Sequence, residues 1–188
     1  MSALVRLPSW PAVDDAEFSG DGLHRLWLSR RVADDGPVGV VLGLNPSKAD
    51  AKTDDHTITK LRVFTKRWGW SGFWMINLFT CIETHSWKLK QRHPRGDLLH
   101  EHAESVLRHA LPNTRAIVVC WGAAVPQHAA WRVGEVCSLI RDLRLSTTPV
   151  RCFGVTKDGS PVHPLRLAYS TPMVMFELPA ERPSRRDE

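Results

Sequence analysis

The chain has 188 residues, 43% of them apolar and 24% charged, with 25 basic against 20 acidic side chains and a formal charge of +5. This length and apolar content predict one domain with a sizeable core and leave little room for a second. No apolar run approaches the ~18 residues of a membrane span, and the start of the chain lacks the basic and then apolar pattern of a signal peptide, so a cytoplasmic protein with no membrane partner is expected.

The first 21 residues, with Pro8, Pro11 and acidic residues between Asp14 and Glu17, read as an irregular segment. Residues 22–178 read as a single α/β domain, and 179–188, which end in ERPSRRDE, as a disordered tail. Leu23 to Val32 is expected to be a strand that hairpins through Asp34-Asp35-Gly36-Pro37 into the next one. In that next strand Val40, Val41, Leu42 and Leu44 suit a buried parallel position, and it ends in Asn45-Pro46-Ser47. Ligands of open α/β sheets bind beyond the carboxyl ends of strands, which puts Asn45 and Ser47 at the usual position of a site.

Ala49 to His56 is too polar for core and reads as an extended loop, after which Ile58, Leu61, Phe64 and Trp68 give Thr57 to Trp68 a helical spacing. Phe73 to Phe79 is a second buried strand, interrupted by Asn77, whose amide must be bonded either as a structural bridge or as a reader of a ligand. A polar loop from Thr80 to Gly96 leads to a crossover helix over Leu98 to Ala110. A third strand over Ala116 to Gly122 contains Trp121, and a helix over Gln127 to Leu143 follows it. Pro149 to Val155 is a fourth strand, and Pro161 to Leu167 a stiff segment before the last apolar run, Met173 to Leu178. The alternation predicts an α/β fold, a three-layer sandwich with a mainly parallel central sheet. Right-handed crossovers then bring Asn45, Asn77, Trp121 and His163 toward one cleft.

The common phosphate-loop, dinucleotide, zinc-protease and serine-hydrolase signatures are absent. Cys81, Cys120, Cys137 and Cys152 are widely spaced without a CxxC pair and read as reduced, buried thiols. His56, His85, His93, His100 and His102 lie close in sequence but have no recognised ligand spacing, so no metal site and no cofactor are expected. Asp54 and Asp55, just before a helix, either cap it or orient and deprotonate a water. His163, between Pro161 and Pro164, either decorates a rigid turn or donates to a developing anion. Trp121 is either core or the wall of a base pocket. Lys48, Lys52, Lys60, Arg62, Lys66 and Arg67 either cover a solvated face or form a phosphate-attracting rim, to which Lys88 and Arg166 add.

GLNPSKADAKTDDHTI, KRWGWSGFWMINLF, CWG and GVTKDGSPVHPLRL together closely resemble the family catalogued as domain of unknown function 1643. A more distant resemblance is to the uracil-DNA glycosylase superfamily. Its first strand ends in Gly-Gln-Asp-Pro or Gly-Ile-Asn-Pro, its second in asparagine and its third in Leu-Trp-Gly, and a late loop begins His-Pro. Here GLNP, MIN, CWG and HPL occur in that order, although Leu165 stands where many of these enzymes have serine and Ser47 where glycine or tyrosine is common. The resemblance implies a uracil-DNA-glycosylase-like fold in which Asn45 positions the hydrolytic water and Asn77 reads the extruded base. His163 would lie near the base carbonyl, and Leu165 would fill the space left in the duplex. The expected function is hydrolysis of the N-glycosidic bond of a modified or deaminated base in DNA. A nucleobase or nucleic-acid binding module without catalysis, or a hydrolase of free nucleosides or nucleotides, is the alternative.

Overall fold

The computed structural model describes residues 6–7, 12–92 and 95–179. The expected disordered tail therefore lies, from residue 180 on, outside the described residues, as do Pro8 and Pro11. In chain order the elements are β1 (Asp15–Phe18), β2 (Arg25–Arg31), β3 (Val38–Gly43), α1 (His56–Arg67), β4 (Gly72–Asn77), α2 (Arg95–Leu98), α3 (Ala103–Ala110), β5 (Ile117–Val119), α4 (Trp131–Leu143), β6 (Val150–Cys152) and β7 (Val174–Met175). Short 3₁₀ turns cover Ser86–Gln91, Gln127–Ala129 and Pro164–Arg166.

Among the described residues the strands form one seven-stranded mixed sheet in the order β1-β2-β4-β3-β5-β6-β7. The four central strands β4, β3, β5 and β6 are parallel, while β1, β2 and β7 add antiparallel at the two sides. The sheet is thus less parallel than the βα alternation implied. The expected hairpin between β2 and β3 does not form either, because β4 lies between them, with Leu28 opposite Met75 on one side and Val41 opposite Met75 on the other. The connecting segment wraps the start of β4: Val32 and Ala33 donate to the Ser71 carbonyl, and Ser71 donates back to Pro37. Six residues cannot make the crossover that a parallel pair requires, so β2 runs antiparallel to the central strands. Asp15–Phe18 is a paired strand, not irregular chain, and extends the sheet beyond β2.

Strand alternation splits the core into two layers. Leu42, Trp74, Ile76 and Val119 face α3 and α4, where Val106, Leu107, Val136 and Ile140 meet them. Val41, Met75, Val118 and Phe153 face Ile58, Leu61 and Phe64 of α1. Helices therefore cover both faces of the sheet.

The helix expected over Leu98 to Ala110 is broken, since Thr80 and Cys81 donate to the Leu98 carbonyl at 3.0 and 3.3 Å and His100 N–H donates to Thr80 Oγ1 at 2.7 Å. These bonds draw residues 98–100 onto the loop after β4 and start α3 later. All four cysteines are buried free thiols, and burial pushes Cys120 up to about 12. Among the described residues no helix is long and apolar enough to cross a membrane.

Candidate functional site

β3 and β4 end side by side, with Gly43 opposite Asn77, and the strand-like contact continues as Leu78 and Phe79 donate to the Gly43 and Leu44 carbonyls at 2.9 Å each. Asn77 shares the α1 side of the sheet with Met75 and is 4% exposed. It fits because residue 43 is glycine: a Cβ there would lie 2.8 Å from Asn77 Nδ2 and 2.3 Å from Met75 Cε. Asn77 Oδ1 accepts from Arg25 Nη2 at 3.1 Å, which fixes the orientation of the amide. Its Nδ2 is buried without a partner among the described residues.

Arg25 is itself buried, and its Nη1 donates to the Ala49 carbonyl at 3.0 Å. Burial pulls its pKa down to about 10, against the opposing field of Asp55. Five residues along β2, fully buried Arg30 donates Nε to Asp54 Oδ1 at 2.6 Å and Nη2 to the carbonyls of Asp50 and Thr53. The loop from Asn45 to Asp55 is therefore held down by two arginines of one strand. Neither was singled out in the sequence, although an arginine inside a strand beside Leu26 and Leu28 is itself a signal, because a buried guanidinium must find carbonyls or carboxylates.

The two aspartates have different surroundings. Asp54 is engaged on both oxygens, by Arg30 and by Arg62 Nε at 2.5 Å. Asp55 is the N-cap of α1, its Oδ1 accepting from Ile58 N–H at 2.9 Å. Its charge also reaches His163. His163 sits on the same α1 side, in a segment tied to the end of the third parallel strand by Gly122 N–H donating to the Pro161 carbonyl at 2.9 Å. Gly122 adopts φ +73°, and a Cβ on it would come within 3.3 Å of His163 Cβ, so both the turn and the approach favour glycine. His163 Nδ1 accepts from Leu165 N–H at 3.3 Å, which assigns the ring proton to Nε2 in the neutral form. Burial lowers the pKa of the imidazole.

Asn45 is half-buried, and its Nδ2 donates to the carbonyls of Glu83 at 2.7 Å and Pro46 at 2.8 Å. This locks the amide across the loops after β3 and β4 and turns Oδ1 into the remaining acceptor. Ser47 lies half-buried beside it. Leu165 is 42% exposed on the turn after His163.

Other expected residues are elsewhere. Trp121 is 2% exposed and packs edge-on against Phe176, ring centroids 6.0 Å apart, in the α3/α4 layer. Strand alternation points Trp121 away from Asn77, so it is core and walls no pocket there. The basic residues do not gather into one rim. Lys48 and Lys52 are exposed on the clamped loop, whereas Lys60 donates to the Leu167 carbonyl and lies 5.0 Å over the Tyr169 ring. Lys66 and Arg67 occupy the far end of α1, about 15 Å along its axis. Lys88 lies 3.9 Å from Glu83, and Arg166 is exposed beside Leu165. The rings of His24, His100 and His102 are in contact, but among the described residues no group of three or more metal-ligating side chains is arranged to hold an ion; His93 lies outside them.

Fold and site together define a mixed α/β domain with buried polar and charged side chains, of which Asn77 and Arg25 lie at the carboxyl edge of its parallel strands. The model of the family described as a protein of unknown function, DUF1643, matches residues 25–165, and the chain belongs to that family. Neither the curated proteins nor the solved structures contain a significant match.

Proposed function

We propose that the chain is a DNA-glycosylase-type hydrolase that releases a modified or deaminated base. The observation that carries this reading is His163, whose Nδ1 accepts from Leu165 N–H so that Nε2–H is the donor of the neutral ring, within the field of Asp55. Breaking the N-glycosidic bond leaves negative charge on the departing base and positive character on the sugar. In this reading Nε2–H of His163 donates to the base carbonyl that gains charge, and Asn77 pairs with the base edge. Asn45 Oδ1 holds the water that attacks the sugar carbon. The proton of that water passes to Asp55, whose second oxygen the helix cap leaves available; Asp54 is tied to its arginines. Lys48, Lys52 and Arg166 supply phosphate contacts, and Leu165 occupies the space the base vacates.

One observation favours the binding-module alternative: Arg25 already donates to Asn77 Oδ1, so the amide is tied into the fold as well as toward any base. The test is a panel of duplex and single-stranded oligonucleotides carrying deaminated and alkylated bases, assayed for abasic product. Wild-type protein is expected to release one of these bases, and the Asn45→Ala, His163→Ala double variant to be at least about 100-fold slower. No product above the double variant on any substrate would falsify hydrolysis, and tight, salt-dependent binding without product would identify the binding module.

A further inference from the structure

Trp87 lies in the 3₁₀ turn Ser86–Gln91 and is 57% exposed, and among the described residues it is the one tryptophan whose surface is mainly open to solvent. Its neighbour Leu89 is fully buried and anchors the turn, so the indole is held out on a fixed support. The indole forms one wall of a cleft of about 480 Å³, and Ala123, Ala124 and Val125, from the loop after β5, form the other. Small apolar side chains facing an indole make a slot for a flat ring, and this volume lies in the range of small-ligand sites.

Polar side chains line it as well: Ser86, Lys90, Gln127 and His128. Glu83 is shared between Lys88 at 3.9 Å and Arg92 at 3.7 Å, whereas Lys90 is exposed and has no ion pair among the described residues. Lys88 Nζ also lies 5.8 Å over the indole ring, and the His85 ring stacks beside it with centroids 6.4 Å apart. A cleft that combines an indole and small apolar side chains with nearby cations complements a nucleotide, whose base is flat and whose phosphate is anionic. The two walls are tied together by a hydrogen bond between His128 Nε2 and the Arg92 carbonyl at 3.2 Å. The turn is also joined to the candidate site, because Glu83 N–H donates to the Pro46 carbonyl and the Glu83 carbonyl accepts from Asn45.

We propose that this cleft holds an unpaired nucleotide of single-stranded DNA, with its base stacked on Trp87 and its phosphate at Lys90. An indole face stacks only on a base that has left its own neighbours, which selects single strand over duplex. The assignment rests on the nucleic-acid partner of the proposed function but not on hydrolysis.

The test is equilibrium binding of the full chain to a fluorescent single-stranded oligonucleotide and its matched duplex, with Trp87→Ala, Trp87→Phe, Lys90→Gln and Lys66→Gln variants. Trp87→Ala is expected to weaken single-strand binding about 10-fold or more, the range for loss of one stacking platform, with Trp87→Phe retaining most of it. Lys90→Gln is expected to weaken binding and flatten its dependence on salt, and Lys66→Gln, at the far end of α1, to leave it unchanged. Adenosine monophosphate is expected to compete only at far higher concentration than the oligonucleotide; equal potency would reassign the cleft to a free nucleotide and overturn the strand. Unaltered binding by Trp87→Ala, equal losses on single strand and duplex, or no single-strand binding by the wild type would also overturn it. Base release by the wild type alongside unaltered Trp87→Ala binding removes this proposal alone, and Trp87-dependent binding with no base release removes hydrolysis alone.

Discussion

Arg25 reaches from β2 to donate to Asn77 Oδ1 at 3.1 Å, so the polar residue that ends β4 is held by a buried cation from the neighbouring antiparallel strand. The same guanidinium holds the Ala49 carbonyl in the loop after β3. Replacing Arg25 by Met keeps much of the aliphatic volume but strips the partner from both acceptors. A loss of about 2 to 4 kcal/mol is expected, the sum for two buried acceptors left unpaired. Urea denaturation reads it as a lower midpoint at constant slope. Arg25→Lys is expected to recover only part, because one ammonium lacks the fork that spans two acceptors.

Asp54 and Asp55 separate by measurement. Asp54→Asn removes the countercharge of fully buried Arg30 and is expected to cost about 3 kcal/mol, while folded molecules keep any base release they have. Asp55→Asn leaves a capping side chain in place, costs about 1 kcal/mol or less, and abolishes base release in the proposed mechanism. Stability equal to wild type in Asp54→Asn would contradict the clamp.

Gly43→Ala is expected to act on Asn77 at one remove. The added methyl meets Met75 Cε and Asn77 Nδ2, both closer than real contacts allow, and both side chains are buried. A loss of about 1 to 3 kcal/mol follows from overpacking. Chemical-shift changes at the Asn77 side-chain amide check where the strain goes.

Stability is expected to fall with acid through the histidines. His24 is held below its ordinary value of 6.5 by burial and by His100 beside it, and His163 by burial against the field of Asp55. Below about pH 6.5 the unfolded chain takes up protons that the folded one refuses, so unfolding becomes easier as pH drops and harder as it rises. Urea unfolding at several pH values between 5 and 7.5 should show this slope, and His163→Gln should make it shallower.

Charge reversal distinguishes the two ends of α1. Lys48→Glu with Lys52→Glu is expected to weaken DNA binding and lower the salt slope by about 2, if each lysine meets one phosphate. Lys66→Glu with Arg67→Glu, at the other end of the helix, is expected to change neither. Equal effects of both pairs would contradict a site at the carboxyl edge.

The central strands and α1 were legible in the sequence because their signals are local: unbroken apolar runs for β3 and β4, and threes and fours through Ile58, Leu61 and Phe64. Asn77 stood out because a polar side chain interrupted such a run. What the sequence did not yield depends on contacts between distant segments. The insertion of β4 between β2 and β3 is set by Ser71 bonding to Val32, Ala33 and Pro37, and the break before α3 by Thr80 capturing Leu98 and His100. Arg25 and Arg30 did not stand out, because the carbonyls that hold them on the loop after β3 lie twenty or more positions away. Trp121 shows the limit of reading by order alone: it lies near the end of the expected strand, yet pleat alternation turns it to the other layer.

The outer hairpin of β1 and β2 sets where a working fragment of this protein can begin. The family match starts at Arg25, but Asp14 pairs with Arg62, and the Asp15 carbonyl accepts from Arg30. A fragment cut at residue 25 keeps both clamping arginines and loses the groups that steady the second of them from outside. Trimming after residue 165 is no safer, because Phe176 covers Trp121 and β7 shields the edge of β6. The segment before the family match thus supports the loop that carries Asn45 through Arg30 and Arg62, and the segment after it closes the sheet at β6.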